Sequence, residues 1–193
     1  MDVIGLVKNN VENVVANLGT ALTDKQITIL SQYFDHLIIC FDSDTSGKNA
    51  ALRAAENSVK ELQPNKKISF LFLPEKEDPD SFINKKGKIQ FLKFSEENIV
   101  SIYDFIFNSY KQKVDNNPSS LAVFEKNLRN SANSIKDSFV KKYVLEFYLE
   151  KISELTPNLK KEKNLYLQKK KSLNITQKQF EKTKSLTSIE IKE

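Results

Sequence analysis

The sequence predicts an α/β fold, in which a mainly parallel β-sheet flanked by helices is followed by an all-helical region. Two short apolar runs, at residues 36–41 and 67–73, have the length of strands, and a segment with helical spacing of apolar residues, 46–62, separates them. Strands joined through a helix by short links run parallel, and continuous apolar runs are typical of strands covered on both faces. Beyond Gly87 the strand-like runs give way to helical patterns.

The segment before these strands is predicted to hold one more strand and a helix. Residues 13–16 are expected to form a short strand that ends at Leu18-Gly19-Thr20. Thr23 followed by Gln26 has the spacing of a capping box, in which each side chain bonds to the backbone N–H of the other residue. A helix is therefore expected to begin directly after Thr23. This order of elements predicts a doubly wound sheet.

Three helices are predicted in the second half of the chain, at residues 99–110, 119–133 and 135–155. Their aromatic side chains are expected to form the core of a small bundle. The aromatic residues assigned to this core are Phe107, Tyr110, Phe124, Phe139, Tyr143, Phe147 and Tyr148. We accordingly predict an α/β domain at 1–95, a helical subdomain at 96–155, and a Lys-rich tail or linker at 156–193.

Composition limits the classes of protein to which the chain can belong. A chain of 193 residues that is 39% hydrophobic can bury a core, which argues against wholesale disorder. No apolar run is long enough to span a membrane, and the N-terminus lacks a signal-peptide pattern. One cysteine, Cys40, and one histidine exclude a zinc cluster within this chain. We expect Cys40 to be a buried thiol and the protein to be cytoplasmic.

The positive charge is confined to one half of the chain. Charges cancel over residues 1–95, and the net charge of +5 comes from residues 96–193. A catalytic N-terminal half and a C-terminal half that binds a polyanion would produce this distribution. Ordinary solvation of Lys-rich helices also explains it, and charge alone slightly favours that explanation.

Two pairs of aspartates follow the two predicted parallel strands. Asp42 and Asp44 come directly after the first strand, and Asp78 and Asp80 come shortly after the second. Because successive parallel strands end on the same edge of a sheet, we expect the four carboxylates to lie on one rim. Such a rim suits Mg²⁺ or Mn²⁺, since Mg²⁺ is held by one or two carboxylates together with water and phosphate oxygens.

Other roles compete at these and neighbouring positions. Asp78 precedes a proline, a favourable first helical residue, so its carboxylate is also suited to cap that helix. Lys48 and Arg53 follow the first pair of aspartates, where they are candidates to bind phosphate or to balance the carboxylate charge. Gly19 and Thr20 are weaker candidates for nucleotide or phosphate binding, since a glycine there is equally a turn residue.

The order of these motifs resembles that of bacterial DNA primases. Residues 15–23, Val-Ala-Asn-Leu-Gly-Thr-Ala-Leu-Thr, are similar to the Ala-Ser-Leu-Gly-Thr-Ala-Leu-Thr stretch of that family. Residues 40–54, from Cys-Phe-Asp-Ser-Asp to Leu-Arg-Ala, are similar to its Phe-Asp-Gly-Asp-x-Ala-Gly-x-x-Ala-Ala-x-Arg-Ala motif. Leu-Phe-Leu-Pro at 71–74 and Asp-Pro-Asp at 78–80 resemble its Leu-Pro…Asp-Pro-Asp segment. Met-Asp-Val at 1–3 matches the end of its Glu-Gly-Tyr-Met-Asp-Val, and the resemblance is close over 1–95 and loose to about residue 155.

The resemblance implies a Toprim domain, a Rossmann-like fold shared by primases, topoisomerases and some nucleases, followed by a helical subdomain. It implies synthesis of short RNA primers from ribonucleoside triphosphates on a single-stranded DNA template. Carried over by position, Asp42 and Asp44 are catalytic metal ligands, and Asp78 and Asp80 complete the acidic rim. One Mg²⁺ or Mn²⁺ ion would activate the primer hydroxyl and another would neutralise the triphosphate. The implied protein partner is a replicative helicase, bound through a C-terminal domain that this chain lacks.

The chain departs from the family pattern at its ends and at two motif positions. The family's glutamate falls before Met1, as do the zinc-binding domain and the basic lobe that binds template and nucleotide. Ser43 and Ser46 stand where the family has glycine and alanine. We therefore expect a primase fragment that does not synthesise primers alone.

Three alternatives stay open. Residues 41–45 also resemble the nucleophile motif of haloacid-dehalogenase-type phosphatases, in which Asp42 would attack phosphate and Asp44 would be the general acid. The further phosphatase signatures are not found, and the residues after Gly47 fit the Toprim pattern better. Another Toprim enzyme, such as a nuclease or topoisomerase, is the second alternative, and a non-catalytic protein-binding module is the third.

Overall fold

The computed structural model describes residues 2–17, 22–75, 77–115 and 117–155. The helices and strands in chain order are α1 (Asp2–Lys8), α2 (Asp24–Tyr33), β1 (His36–Phe41), α3 (Thr45–Ser58), β2 (Lys67–Phe72), α4 (Pro79–Asn98), β3 (Val100–Ser101), α5 (Ile102–Lys111), α6 (Pro118–Asn133) and α7 (Ser138–Leu155). A short 3₁₀ turn, Val59–Glu61, follows α3. None of the helices in these ranges is long and apolar enough to cross a membrane.

The chain divides into two compact units, Met1–Tyr148 and Leu149–Glu193. In the second unit the structure describes only residues 149–155, the last residues of α7. The predicted Lys-rich tail, 156–193, lies outside the described residues. The predicted boundary at residue 95 stays a prediction.

The sheet has three strands in the order β1-β2-β3. β1 and β2 are parallel in a register that aligns Phe41 with Phe72, which confirms the predicted parallel pair. β3 pairs antiparallel with β2, with Val100 beside Phe70, and the sequence does not predict it. A strand of two residues is too short to produce a recognisable hydrophobic pattern.

β1 is covered less fully than its apolar sequence predicts. Its residues alternate between exposed and half-buried, and 47% of the Ile38 surface is exposed. In the described sheet β1 pairs only with β2 and is an edge strand, whereas the central β2 is buried over residues 68–71. Cys40 is exposed, so the prediction of a buried thiol is wrong.

Residues 13–16 form no strand, and that prediction is also wrong. They belong to an irregular segment in which Val14 packs against the core while 68% of the Val15 surface is exposed. This alternation imitates a strand, but no strand of the described sheet is hydrogen-bonded to the segment. Gly19 and Thr20, at the end of the expected strand, lie outside the described residues.

α1 ends in a Schellman motif that turns the chain into the core. The Val11 N–H donates to the Leu6 carbonyl, and the Asn10 N–H donates to the Val7 carbonyl. Asn10 has a φ of 61°, a left-handed conformation that asparagine adopts more readily than most residues. Leu6 and Val11 are then buried in a cluster shared with β2, α4 and the residue after β2, whose other buried members are Leu71, Leu73, Phe82, Ile83 and Phe91.

The capping of α2 and the bend in α4 each follow from the residue type at one or two positions. The predicted capping box of α2 is confirmed, since the Gln26 N–H donates to Thr23 Oγ1 and the Thr23 N–H donates to Gln26 Oε1. α4 bends at Gly87, where φ is 79° and ψ is 166°. Glycine adopts such a left-handed backbone without the steric cost that a Cβ imposes.

Aromatic packing joins the sheet to the helical region. Phe70 of β2 is fully buried and stacks on Phe105 of α5, with ring centroids 4.7 Å apart. Phe107 packs edge-on against Phe124 and parallel to Tyr148, as expected for a bundle core.

Phe139 and Tyr143 of α7 do not belong to that core. Their surfaces are 70% and 63% exposed, which corrects the prediction that they are buried. The buried stripe of α7 in the first unit consists of Val140, Val144 and Tyr148, at intervals of four residues. A residue one position earlier is rotated by about 100° around the helix, and therefore faces away from this stripe.

We expect Phe70→Ala to lower the free energy of unfolding by about 3–5 kcal/mol, because it leaves a cavity between the sheet and α5. Phe139→Ala is the matched control, since it removes the same side chain from an exposed position, with an expected change within about 0.5 kcal/mol. Urea unfolding followed by far-UV circular dichroism measures both. Equal effects of the two substitutions would contradict this assignment of the core.

Candidate functional site

Asp42 and Asp44 lie in the turn between β1 and α3. Asp44 is the N-cap of α3, and its Oδ1 accepts a hydrogen bond of 2.6 Å from the Gly47 N–H. Asp42 is exposed, and its carboxylate accepts no hydrogen bond within the described part of the chain. The first pair of predicted site residues therefore consists of one carboxylate fixed by a helix terminus and one without such a restraint.

Gly47 allows α3 to begin close to the end of β1. A methyl group at Gly47 would overlap the carbonyl oxygen of Asp42 and would lie 3.1 Å from Asp44 Oδ1. The overlapped oxygen belongs to the backbone, which cannot rotate aside as a flexible side chain can. The glycine in this motif is therefore explained by the close approach of the helix to the strand end.

Asp78 caps α4, as the structural alternative predicted. Its Oδ1 accepts a 2.6 Å hydrogen bond from the Ser81 N–H, and the Asp78 N–H donates to Ser81 Oγ. The Ser81 hydroxyl also donates to Glu77, which pairs with Lys85 at 2.7 Å. The hydrogen bonds from Ser81 hold the pKa of Asp78 below its usual value. The pKa of Glu77 is lowered by the hydrogen bonds from Lys85 and Ser81.

Asp80 lies in the first turn of the same helix and is half-buried. Its Oδ1 accepts a hydrogen bond of 2.8 Å from the side-chain amide of Asn84. A side chain on Gly5 of α1 would overlap the Asp80 carboxylate, so this carboxylate lies directly against the backbone of α1.

The sheet register places both aspartate pairs at the same edge, since β1 and β2 run parallel and their last residues, Phe41 and Phe72, are paired. Over the described ranges, however, no three His, Cys, Asp or Glu side chains lie together in a group that could hold a metal ion. Carboxylate oxygens are the ligands that Mg²⁺ prefers, and Asp44, Asp78 and Asp80 each keep one oxygen free of hydrogen bonds in the described structure. The donor chemistry fits a divalent cation, although the four carboxylates do not form one closed cluster.

Asp2 is a further acidic residue that bears on this edge and was not among the predicted site residues. The pKa of the Cys40 thiol is raised to about 12 by desolvation and by the negative charges of Asp42 and Asp2. Asp2, in the first turn of α1, adds to the effect of Asp42 on this pKa. The Met-Asp-Val match at the start of the chain is the signal that could have identified it.

Lys48 and Arg53, the predicted phosphate-binding residues, are both exposed on α3. Residues five positions apart differ by about 140° around a helix, so the two side chains do not share a face. Lys48 lies in the first turn, where its N–H donates to the carbonyl of Asp44. Of the two cations, Lys48 is thus the one placed beside the acidic turn, while Gly19 and Thr20 are not described.

We expect Asp44→Ala to lower the free energy of unfolding by about 1 kcal/mol, because the cap of α3 is lost. Asn caps helices as well as Asp does, so Asp44→Asn is expected to change stability by only a few tenths of a kcal/mol while removing the charge. Chemical unfolding of both variants separates the two roles of this carboxylate. A cost for Asp44→Asn equal to that for Asp44→Ala would show that the charge, and not the cap, stabilises the fold.

We expect Cys40 to react slowly with iodoacetamide despite its exposure, because a pKa raised to about 12 leaves little thiolate at pH 8. The rate in the native chain should be roughly a hundredfold or more below that of the urea-unfolded chain, and should keep rising with pH above 10. Cys40 is the single cysteine, so mass spectrometry of the alkylated chain reports on it alone. A native rate that levels off near pH 9 would contradict the raised pKa.

Known proteins are similar to this chain over the N-terminal half, which contains the motifs, and over part of the C-terminal half. Residues 1–83 match a family model described as Toprim-like. The DNA primase of Pasteurella multocida is 41% identical over 115 residues, which is 60% of this chain and 20% of that protein. The DNA primase of Legionella pneumophila is 34% identical over 157 residues, which is 81% of this chain and 26% of that protein. The chain thus spans only a fifth to a quarter of the length of these curated relatives.

The fold is similar to solved primase structures. The catalytic core of E. coli primase has a TM-score of 0.74 and 29% identity, over 79% of this chain and 49% of that chain. A DnaG primase catalytic domain solved with bound single-stranded DNA has a TM-score of 0.73 and 28% identity, over 78% of this chain and 48% of that chain. Motif order, family match and fold agree: residues 1–83 are Toprim-like, and the chain is similar in sequence and fold to bacterial DnaG-type primases.

Proposed function

We propose that this chain takes part in the metal-dependent synthesis of short RNA primers on single-stranded DNA. The observation that carries the proposal is the parallel register of β1 and β2, since it places the Asp42–Asp44 and Asp78–Asp80 pairs at one sheet edge within a primase-like fold. Ligands of open α/β sheets bind at this edge. The activity belongs to proteins longer than this chain, so its transfer to these residues is part of the proposal.

Asp42, Asp44, Asp78 and Asp80 are the proposed ligands of Mg²⁺ or Mn²⁺. Asp44 and Asp78 each use Oδ1 to cap a helix, which holds the carboxyl group in place and leaves Oδ2 for a cation. Asp42 has neither oxygen engaged within the described residues and can adjust to the ion. When bound, divalent cations supply charge neutralisation at the triphosphate and activation of the primer hydroxyl.

Lys48 is the proposed first contact for nucleotide phosphates, because it lies in the first turn of α3 next to the acidic turn. The positive end of the helix dipole acts on a phosphate in the same sense as the lysine. Arg53, Gly19 and Thr20 complete the proposed phosphate-binding set. The substrates are ribonucleoside triphosphates and a DNA template, and the solved primase domain with bound single-stranded DNA supports the template. A replicative helicase as partner and a cytoplasmic location belong to the same proposal.

The comparisons give no support to the phosphatase alternative, since the matched relatives are primases. No other alternative from the sequence is favoured by a specific contact in the structure.

Binding of Mn²⁺ by the 193-residue chain tests the proposal directly. We expect Asp42→Asn to weaken Mn²⁺ affinity by about tenfold or more, measured by electron paramagnetic resonance of the free ion. Asp24→Asn is the matched control and should leave the affinity unchanged. Asp24 is an exposed carboxylate in the first turn of α2, and it lines a pocket with Asn57, near the end of α3 opposite the acidic turn.

A second measurement examines the chemistry. Incorporation of labelled ribonucleotides on single-stranded DNA, by the longest natural protein that contains this chain, should be abolished by Asp42→Asn and retained by Asp24→Asn. Unchanged Mn²⁺ affinity and unchanged incorporation in Asp42→Asn would overturn the proposed site. A phosphorylated Asp42 trapped with a phosphate ester would favour the phosphatase instead.

A further inference from the structure

The side chain of Asp80 lies at one end of a series of hydrogen bonds that connects α4 to α1. The Asn84 Nδ2 donates to Asp80 Oδ1 at 2.8 Å, and the Asn9 Nδ2 donates to Asn84 Oδ1 at 3.1 Å. The same Asn9 Nδ2 donates to the Gly5 carbonyl at 2.8 Å. Three side chains and one backbone carbonyl are thus connected across the junction of the two helices.

The donor and acceptor roles in this series of hydrogen bonds are fixed by the groups at its two ends, the Gly5 carbonyl and the Asp80 carboxylate. A backbone carbonyl accepts and never donates, so Asn9 must present its NH₂ group to Gly5. The second hydrogen of that group goes to Asn84, which must therefore present its carbonyl oxygen to Asn9. The NH₂ group of Asn84 is then available to Asp80, whose ionised carboxylate is again an acceptor only. Rotating either side-chain amide by 180° would place donor against donor or acceptor against acceptor.

Gly5 supplies the space that this arrangement needs. Asp80 lies against the backbone of α1, where a Cβ on Gly5 would overlap its carboxylate. Gly5 itself is buried, and the helix that carries it is anchored on α4 by the cluster around Leu6 and Phe82. The carboxylate is therefore held between a glycine on one helix and an amide one turn along its own helix.

We propose that Asn84 is a positioning residue for Asp80, with Asn9 fixing the orientation of the Asn84 amide. The inference rests on the proposed function, in which Asp80 is a cation ligand. Asn84 occupies Oδ1 and leaves Oδ2 as the oxygen for the ion. It also limits the rotation of the carboxyl group, so that less freedom is lost when the ion binds.

Substitutions at Asn84 test this role with the Mn²⁺ ion as probe and the full chain as the protein. We expect Asn84→Ala to weaken Mn²⁺ affinity by about tenfold, as observed for the loss of partners that orient metal ligands. Asn84→Gln keeps an amide donor and should restore most of the affinity. Asn98→Ala is the matched control, since Asn98 is an exposed residue of α4 whose amide, among the described residues, donates only to the Phe94 carbonyl. The thermal midpoint of unfolding should be unchanged in all three variants.

A double substitution distinguishes positioning from a general structural effect. If Asn84 acts through Asp80, Asn84→Ala will cause no further loss of affinity in a chain that already carries Asp80→Asn. In the unsubstituted chain, the side-chain NH₂ resonances of Asn84 should shift on titration with Mg²⁺, and Asp80→Asn should abolish that shift. Gly5→Ala should weaken Mn²⁺ binding with Asn84 intact, because the added methyl group displaces the carboxylate.

Each outcome has a separate meaning. If Asp80→Asn weakens Mn²⁺ binding and Asn84→Ala does not, the positioning role is overturned and the proposed site stands. Losses that add in the double variant also overturn it, because Asn84 would then act independently of Asp80. If neither Asp42→Asn nor Asp80→Asn changes the affinity, the proposed cation site is wrong and the positioning role fails with it.

Discussion

The parallel pairing of β1 with β2 is the constraint on which the rest of the structure depends. It aligns Phe41 with Phe72, so that two turns distant in the sequence leave the sheet at the same edge. α3 and α4 then begin at that edge, with Asp44 and Asp78 as their N-caps. The buried face of β2, with Phe70 at its centre, maintains this pairing by packing on Phe105. A shift in the register of β1 against β2 would move the two aspartate pairs apart, even with all four aspartates present.

The carboxylates of this edge serve the fold as well as the proposed chemistry. Asp44 and Asp78 satisfy backbone N–H groups that a helix leaves unpaired at its start. Asp80 is held by Asn84 and by the close backbone of α1. Capping and cation binding are compatible, because a carboxylate has two oxygens and a cap uses one. An acidic residue that ends a strand and begins a helix is thus fixed in place before any ligand arrives.

The sequence predicts the features of this protein that arise from local patterns. The capping box at Thr23 and the cap at Asp78 follow from spacing within a few residues, and the parallel pair follows from the order strand–helix–strand. The sequence fails where neighbours decide the outcome. β1 is apolar but lies at an edge, and residues 13–16 alternate without a partner strand in the described sheet. Phe139 and Tyr143 are apolar at positions next to the buried stripe of α7.

The same distinction applies to the candidate site. The four aspartates can be found from their positions after two strands, and so can the likeness to primases. The contacts of Asp80 with Gly5, and of Asn84 with Asn9, join residues more than seventy positions apart, and no local pattern indicates them. The outer edge of β1 has a consequence of another kind. Among the described residues no strand pairs with this edge, where Ile38 is exposed, and such an edge is a template for an extended segment of another molecule. Strand-to-strand association at such an edge is favoured by a rise in protein concentration.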